Sequence, residues 1–299
     1  GMINAFNKYS KLKDWKKLIQ PAINLASQGY RITRREADNL TDDQTLFEKY
    51  NLSPTVFHKK KWEQGDQLIQ KELAHTLELI RDHGRSGFYE GEVADLIVNE
   101  MKTGGGQISY DDLKNYTSVW RKPVITMYRG YKIISMPPPS SGGIVLSQLL
   151  KLVEPYDLNA MKFQSAASVH LMVEAERRAY ADRSKYLGDP DFYKVPDKLL
   201  DTSYIHTRMA NFKPRQASKS ADISFGVIES EETTHFSIID SEGNAVSLTT
   251  TLNGSYGAYT VVKGEGFLLN NEMDDFSVKP GIPNMYGLVG AEANKVEPN

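Results

Sequence analysis

The chain changes its hydrophobic period near residue 233, and that change limits its fold more than any other feature. Before it, apolar residues recur at helical spacing. Residues 65–83 set Leu68, Ile69, Leu73, Leu77 and Ile80 on one face, and Gly84 and Gly87 break the run. Residues 90–102 repeat the pattern with Val93, Ala94, Ile97, Val98 and Met101, and Gly104-Gly105-Gly106 ends it. The spacing predicts a third helix over about 165–185, with Val169, Met172, Val173, Glu176, Ala179 and Tyr180 along it. A strand-like stretch, Tyr131-Lys132-Ile133-Ile134-Ser135-Met136, lies between them. It runs into Pro137-Pro138-Pro139-Ser140-Ser141-Gly142-Gly143, which must be extended and then sharply turned.

The segment 215–232 reads as an exposed loop. Gln216 to Asp222 is small and polar, and Glu229-Ser230-Glu231-Glu232 is acidic. Strand chemistry begins at Thr233, with Thr234, Phe236, Ile238 and Ile239 following. Asp240-Ser241-Glu242-Gly243-Asn244 is turn chemistry, and Ala245 to Leu252 forms a second strand rich in Val and Thr. A turn centred on Glu242 and Gly243 pairs residues whose numbers sum to about 485. That register sets Thr233 opposite Thr251 to Asn253. An acidic loop therefore delivers one threonine to a strand start, beside a second threonine and an asparagine. The whole chain reads as α+β.

Composition narrows the function classes. Of 299 residues, 40% are hydrophobic and 25% charged, which is ordinary for a globular chain with a sizeable core. The net charge of -2 supplies no concentrated basic face for nucleic acid. No apolar run approaches the roughly 18–20 residues that span a membrane. The chain has no cysteine, which excludes disulfides, thiolate metal sites and a cysteine nucleophile. Its six histidines show no metal-ligand spacing. Gly1-Met2-Ile3-Asn4 is not a basic leader followed by an apolar stretch, so no secretory signal is read there.

A threonine hydroxyl is a poor nucleophile until a base takes its proton. At a chain terminus its own α-amine, with a pKa of roughly 7.7–8.0, can be that base. Proximity is then built in. A mid-chain threonine reaches this state only by cleavage before it: the hydroxyl attacks the preceding carbonyl, and water hydrolyses the ester. The boundary between Glu232 and Thr233 suits this, an exposed loop meeting a strand. On spacing alone, Thr233 and Thr234 read more simply as ordinary strand residues, because threonine favours strands.

The longer motifs carry more. Thr233-Thr234-His235-Phe236-Ser237-Ile238-Ile239-Asp240, Gly243-Asn244-Ala245-Val246-Ser247 and Thr251-Leu252-Asn253 resemble the start of the small subunit of the γ-glutamyltranspeptidases. The resemblance continues through Gly266-Phe267-Leu268-Leu269-Asn270-Asn271-Glu272-Met273-Asp274-Asp275-Phe276. Upstream, Met136 to Gly143, Ala181-Asp182-Arg183 and Tyr186-Leu187-Gly188-Asp189-Pro190-Asp191-Phe192 are similar to large-subunit motifs of that family. The resemblance runs over the whole chain. It implies an αββα four-layer sandwich of the N-terminal-nucleophile hydrolases and a precursor that cuts itself in two. Residues 1–232 then belong to the large subunit and 233–299 to the small one, together one αββα domain. The implied activity is γ-glutamyl transfer from glutathione and related compounds to water, an amino acid or a peptide, with no metal or organic cofactor.

Residue by residue, Thr233 matches the nucleophile and Thr251 the threonine that hydrogen-bonds it. Asn253, Glu272 and Asp275 match the groups that hold the donor's α-amino group, an assignment that suits a cationic amine. Outside that motif, Glu272 and Asp275 read as a solvated surface pair. Ser140 and Ser141 lack a Gly-x-Ser-x-Gly elbow and read as a structural turn. Gly104 to Gly106 lack the lysine of a phosphate loop and read as a helix stop. His235 reads as a packing or hydrogen-bonding residue.

No position matches the family's carboxylate-gripping arginine, and its serine pair and oxyanion glycine pair fall beyond Asn299. Loss of oxyanion donors costs on the order of 100–1000-fold in rate. The expectation is a fragment of a longer precursor, inactive by itself or at most able to cut itself, with its central sandwich uncovered. On the resemblance, the natural protein is exported to the periplasm or cell surface. Two alternatives stay open: a poly-γ-glutamate depolymerase or another amide acylase of the same superfamily, and a relative that binds without turnover.

Overall fold

The computed structural model describes residues 1–223, 234–277, 279, 281–285 and 292–296. In chain order come α1 (Met2–Tyr9), α2 (Trp15–Gln28), β1 (Tyr30–Arg31), α3 (Arg34–Asp42), α4 (Gln44–Tyr50) and β2 (Gln67–Leu68). Next are α5 (Lys71–His83), α6 (Ser86–Tyr89), α7 (Gly91–Gly104) and α8 (Tyr110–Asn115). The hairpin β3 (Val124–Tyr128) and β4 (Tyr131–Ser135) precedes α9 (Gly142–Val153), α10 (Leu158–Met161), α11 (Ala166–Tyr186) and α12 (Thr202–Thr207). A second hairpin, β5 (Thr234–Ile239) and β6 (Ala245–Thr250), follows. The described strands form three separate antiparallel pairs. The mixed α+β class read from the sequence is the class observed.

Local chemistry accounts for most boundaries. Helix α11 starts after Ser165, whose hydroxyl accepts from Ser168 N. Helix α7 ends where Gly105 turns left-handed at φ 76°, the helix stop expected of that glycine run. The helix expected over 65–83 begins only at Lys71. Leu68 instead pairs with Tyr30 across β1–β2, and Gln70 N donates to Ala26 O. The apolar spacing is real, but strand pairing takes its first turn. The strand expected over 131–136 stops at Ser135, because Met136 O accepts from Gly143 N at 3.1 Å. That bond closes the Ser-Ser-Gly-Gly turn. A Cβ on Gly143 would lie 2.1 Å from the same carbonyl oxygen, so the turn requires glycine there.

The chain divides into two compact units. The first comprises Gly1–Val119 and Glu232–Asn271; the second comprises Trp120–Glu231 and Glu272–Asn299. In the first unit, Val261 packs with Ile32, Leu40, Phe47 and Trp62, while its neighbour Val262 packs with Val93, Ile97 and Val98. Asn51 holds this segment in register: its Nδ2 donates to Tyr259 O, and its Oδ1 accepts from Val261 N. In the second unit, α9 packs on α11 through Ile144, Leu152, Leu171 and Ala175.

Both units bury charge. Helix α11 does not bury Val169, Met172 and Val173, which stay exposed; its buried stripe includes Leu171, Glu174, Ala175, Arg178 and Asp182. Hydropathy periodicity misses such a face because paired charges count as polar. In the first unit Glu265 is fully buried. The hydroxyl of Thr76 contacts its carboxyl and donates to its carbonyl oxygen at 2.8 Å, and Oε1 has no hydrogen-bond partner among the described residues. Burial pushes the Glu265 carboxyl up. A group raised in the fold lowers stability as pH climbs from the ordinary carboxylate range through its folded value. Glu265→Gln should therefore be more stable than the wild type at pH 8, with the difference shrinking toward pH 4. Calorimetric melting at both pH values checks this, and a pH-independent difference would refute it.

Candidate functional site

The β5–β6 ladder pairs Thr234 with Thr250 and Ile239 with Ala245. Paired numbers sum to 484, one less than expected. The extra loop residue follows from Asp240, whose Oδ1 accepts from Glu242 N and Asn244 N while Oδ2 accepts from Asn244 Nδ2. Gly243 turns left-handed at φ 84°. His235 bonds Thr249 Oγ1 at 2.8 Å through Nδ1, in keeping with its hydrogen-bonding role. Glu232 and Thr233 lie outside the described residues.

Strand β6 stops at Thr250, two residues short of Leu252, because the chain turns away. The Asn253 N–H donates to Thr251 Oγ1 at 2.9 Å, and Asn253 is left-handed at φ 70°. Its Nδ2 donates to Asn271 O at 3.1 Å, Gly254 N donates to Asn271 Oδ1, and Asn271 N donates to Leu252 O. Thr251 and Asn253 are thus brought together in the first unit, with Asn253 buried. Gly257 at φ 57° allows the return strand to pass, since a Cβ there would lie 2.2 Å from Leu269 O.

Glu272 and Asp275 open and close one 3-10 turn in the second unit. Asn294 Nδ2 donates to Asp275 O, and Ser277 N donates to Asn294 O. Between the two acids, Asp274 Oδ2 accepts from Met285 N at 3.0 Å. Burial pushes the Glu272 carboxyl up, and the Asp275 charge adds to it. An ammonium group beside the pair would relieve that repulsion. Among the described residues no three ligand-type side chains converge as a metal site, and no helix is long and apolar enough to cross a membrane.

The family model for gamma-glutamyltranspeptidase matches residues 1–299. The chain belongs to the γ-glutamyltranspeptidase family. A glutathione hydrolase proenzyme of Pseudomonas sp. (strain A14) is 46% identical over the whole chain, which covers 53% of that relative. An acylase proenzyme, ACY 1 of Pseudomonas sp. (strain SE83), is 38% identical over 89% of the chain and 48% of the relative. The solved γ-glutamyltranspeptidase of Helicobacter pylori superposes with a TM-score of 0.72 at 45% identity, over 75% of this chain and 65% of that one. The fold is therefore of the N-terminal-nucleophile hydrolase type. The chain spans about half the length of the curated relatives it matches.

The family motifs meet in the second unit: Arg183 Nε donates to Ser141 Oγ at 3.0 Å. Ser141 is thus a turn residue, as its sequence context indicated. Asp182 of the same motif is buried and accepts from Tyr204 OH and Gln148 Nε2, beside Arg208 at 3.2 Å. Sequence reasoning missed the cluster of Glu174 and Arg178. Its only signal was opposite charge four residues apart on a helix, a pattern usually found on solvated faces.

Proposed function

We propose that the chain is the central part of a precursor that cuts itself between Glu232 and Thr233, giving a γ-glutamyl transferase and glutathione hydrolase. Residues 1–232 go with the large subunit and 233–299 with the small one. The observation that carries this reading is the β5–β6 register. Its terminal pair, Thr234 with Thr250, adjoins in sequence the two residues that the family motif matches to the nucleophile, Thr233, and its hydrogen-bond partner, Thr251. A hydroxyl accepts and donates at once. Thr251 accepts from the Asn253 N–H, and in this reading its own proton is directed to Thr233.

In the proposed reaction the Thr233 α-amine takes the hydroxyl proton as Oγ1 attacks the γ-glutamyl carbonyl. The C–N bond breaks, and the leaving amine takes that proton. A γ-glutamyl ester remains on Thr233. Water or an acceptor amine then attacks the ester and returns the proton to Thr233 as the γ-glutamyl group departs. By the family likeness, Asn253, Glu272 and Asp275 are assigned to the donor's ammonium group, each offering the acceptor oxygen that a cationic amine needs. The base is the threonine's own amine, so the reaction needs no cofactor. Exposed apolar residues on both hairpins support further covering chain, notably Ile134 at 62% and Ile239 at 76%. The family likeness supports export to the periplasm or cell surface.

Intact mass of the denatured full-length precursor tests the reading, with a γ-glutamyl anilide as chromogenic donor. Two species, the smaller beginning at Thr233, together with anilide release, are expected. A single uncut species that still turns over the donor would overturn it. The acylase likeness favours a second reading, hydrolysis of another amide. A panel of donors with and without a free α-amino group separates the two.

The carboxylates make a further prediction. Asp275→Asn should raise the donor KM by roughly 10–150-fold, the scale of a lost hydrogen bond to a charged group of about 1.5–3 kcal/mol. Because Glu272 is raised, KM should begin to climb on acidification above the ordinary carboxylate range. Steady-state kinetics from pH 4 to 9 checks both; an unchanged KM in Asp275→Asn would remove these residues from the site.

A further inference from the structure

We infer that Asn271 is a positioning residue for the donor: it fixes which end of the Asn253 amide is left for the substrate. This rests on the reading above that Asn253 meets the donor's ammonium group. Asn271 brackets the turn at Leu252, Asn253 and Gly254. Its backbone N–H donates to Leu252 O at 3.1 Å, its backbone carbonyl accepts from Asn253 Nδ2 at 3.1 Å, and its Oδ1 accepts from Gly254 N at 2.8 Å. The bracket is itself held in the first unit. Ala258 N donates to Leu269 O and Leu269 N donates to Thr260 O, both at 2.9 Å. The next residues, Val261 and Val262, are buried in two clusters of the core.

The two ends of an asparagine amide are chemical opposites: the NH2 group only donates and the carbonyl only accepts. A backbone carbonyl cannot donate, so the bond to Asn271 O assigns the NH2 end of Asn253 to the protein. The other end, Oδ1, has no hydrogen-bond partner among the described residues and is not one of their buried unpartnered atoms. An ammonium group only donates, so Oδ1 is the end that it requires. Asn253 is also left-handed at φ 70°, which a residue with a Cβ keeps only where its surroundings over-determine it. The bonds from Asn271 to Leu252 and Gly254 do so on either side of it. An aspartate at 253 would keep the acceptor but lose the donor. Its carboxylate would meet the Asn271 carbonyl, acceptor against acceptor.

The test is steady-state kinetics of the mature full-length protein on γ-glutamyl anilide and on glutaryl anilide, which lacks only the α-amino group. Asn271→Ala removes the acceptor for Gly254 N and should raise KM for the γ-glutamyl donor by about two- to tenfold, the scale of one lost neutral hydrogen bond. Its kcat/KM for the glutaryl donor should stay at the wild-type value. In an Asn253→Ala background the same substitution should add less than about twofold, because no amide is left to position. Asn253→Asp should raise KM for the γ-glutamyl donor by about 5–100-fold, although an added negative charge would by itself tighten an ammonium. Additive losses in the double variant, equal losses on both donors, or tighter binding in Asn253→Asp would overturn the inference. Should Asn271→Ala fail to mature, Asn253→Asp decides alone. A wild-type enzyme that turns over both donors alike would instead defeat the assignment of Asn253 to the ammonium group.

Discussion

Thr233→Ala should leave the full-length precursor as one uncut chain with no γ-glutamyl transfer. The methyl group can neither attack the preceding carbonyl nor form the ester. Removing a nucleophile that acts as part of a unit costs on the order of 10⁶-fold in turnover, which lies below detection here. Two controls sharpen the result. Thr233→Ser keeps a hydroxyl and should still cut, whereas Thr234→Ala alters only the residue paired with Thr250 and should also cut. The readouts are N-terminal sequencing of the small species and release of anilide. Specific cleavage at 232/233 that persists in Thr233→Ala would sink the assignment. Cleavage lost in Thr234→Ala, with Thr233→Ala still cutting, would move the nucleophile by one residue.

Arg178→Met should destabilise the second unit by about 3–5 kcal/mol, the scale for leaving one member of a buried ion pair uncompensated. Arg178 and Glu174 are both almost fully buried and meet at 2.6 Å. Burial pushes the Glu174 carboxyl up, and the bonds from Ser218 and Arg178 outweigh it, holding it at about 2. A carboxyl depressed in the fold contributes stability above its unfolded value, near 4.5, and loses it as pH falls toward about 2. Without Arg178 part of that stability is absent at neutral pH, while the Ser218 bonds and Arg177 at 3.5 Å remain. A fall in melting temperature of roughly 6–20 °C is expected. Glu174→Leu/Arg178→Met should recover part of the loss, since an apolar pair leaves no stranded charge. A loss below about 1 kcal/mol in Arg178→Met would mean that solvent reaches the pair.

Glu174 and Glu265 show two outcomes of burying one residue type. Glu174 lies among donors: a guanidinium, a hydroxyl and a backbone N–H. Its charge is retained, and it ties distant segments together. Among the described residues Glu265 bonds one hydroxyl, and burial outweighs that bond and the weaker pull of His75, so the carboxyl is raised. Which case applies depends on neighbours that are far away in sequence: Ser218 lies 44 residues from Glu174, and Thr76 lies 189 from Glu265.

By itself the sequence determined the α+β class, the limits of α7 and α11 to within a residue or two, and the hairpin turned at Asp240 to Asn244. These are local matters: hydrophobic period, a left-handed glycine, a serine cap and an Asp-Ser-Glu-Gly-Asn turn act within a few residues of one another. Its ordered motifs also determined the family. Only the tertiary structure decided the rest. It withheld Leu68 from α5 because Tyr30 pairs with it. It turned the chain at Asn253 through bonds to Asn271, ending β6 early. It also gave α11 a buried stripe of paired charges instead of its valines. In each case the deciding partner is distant along the chain, and a carboxylate or an amide reads the same in sequence whether it meets water or a buried donor.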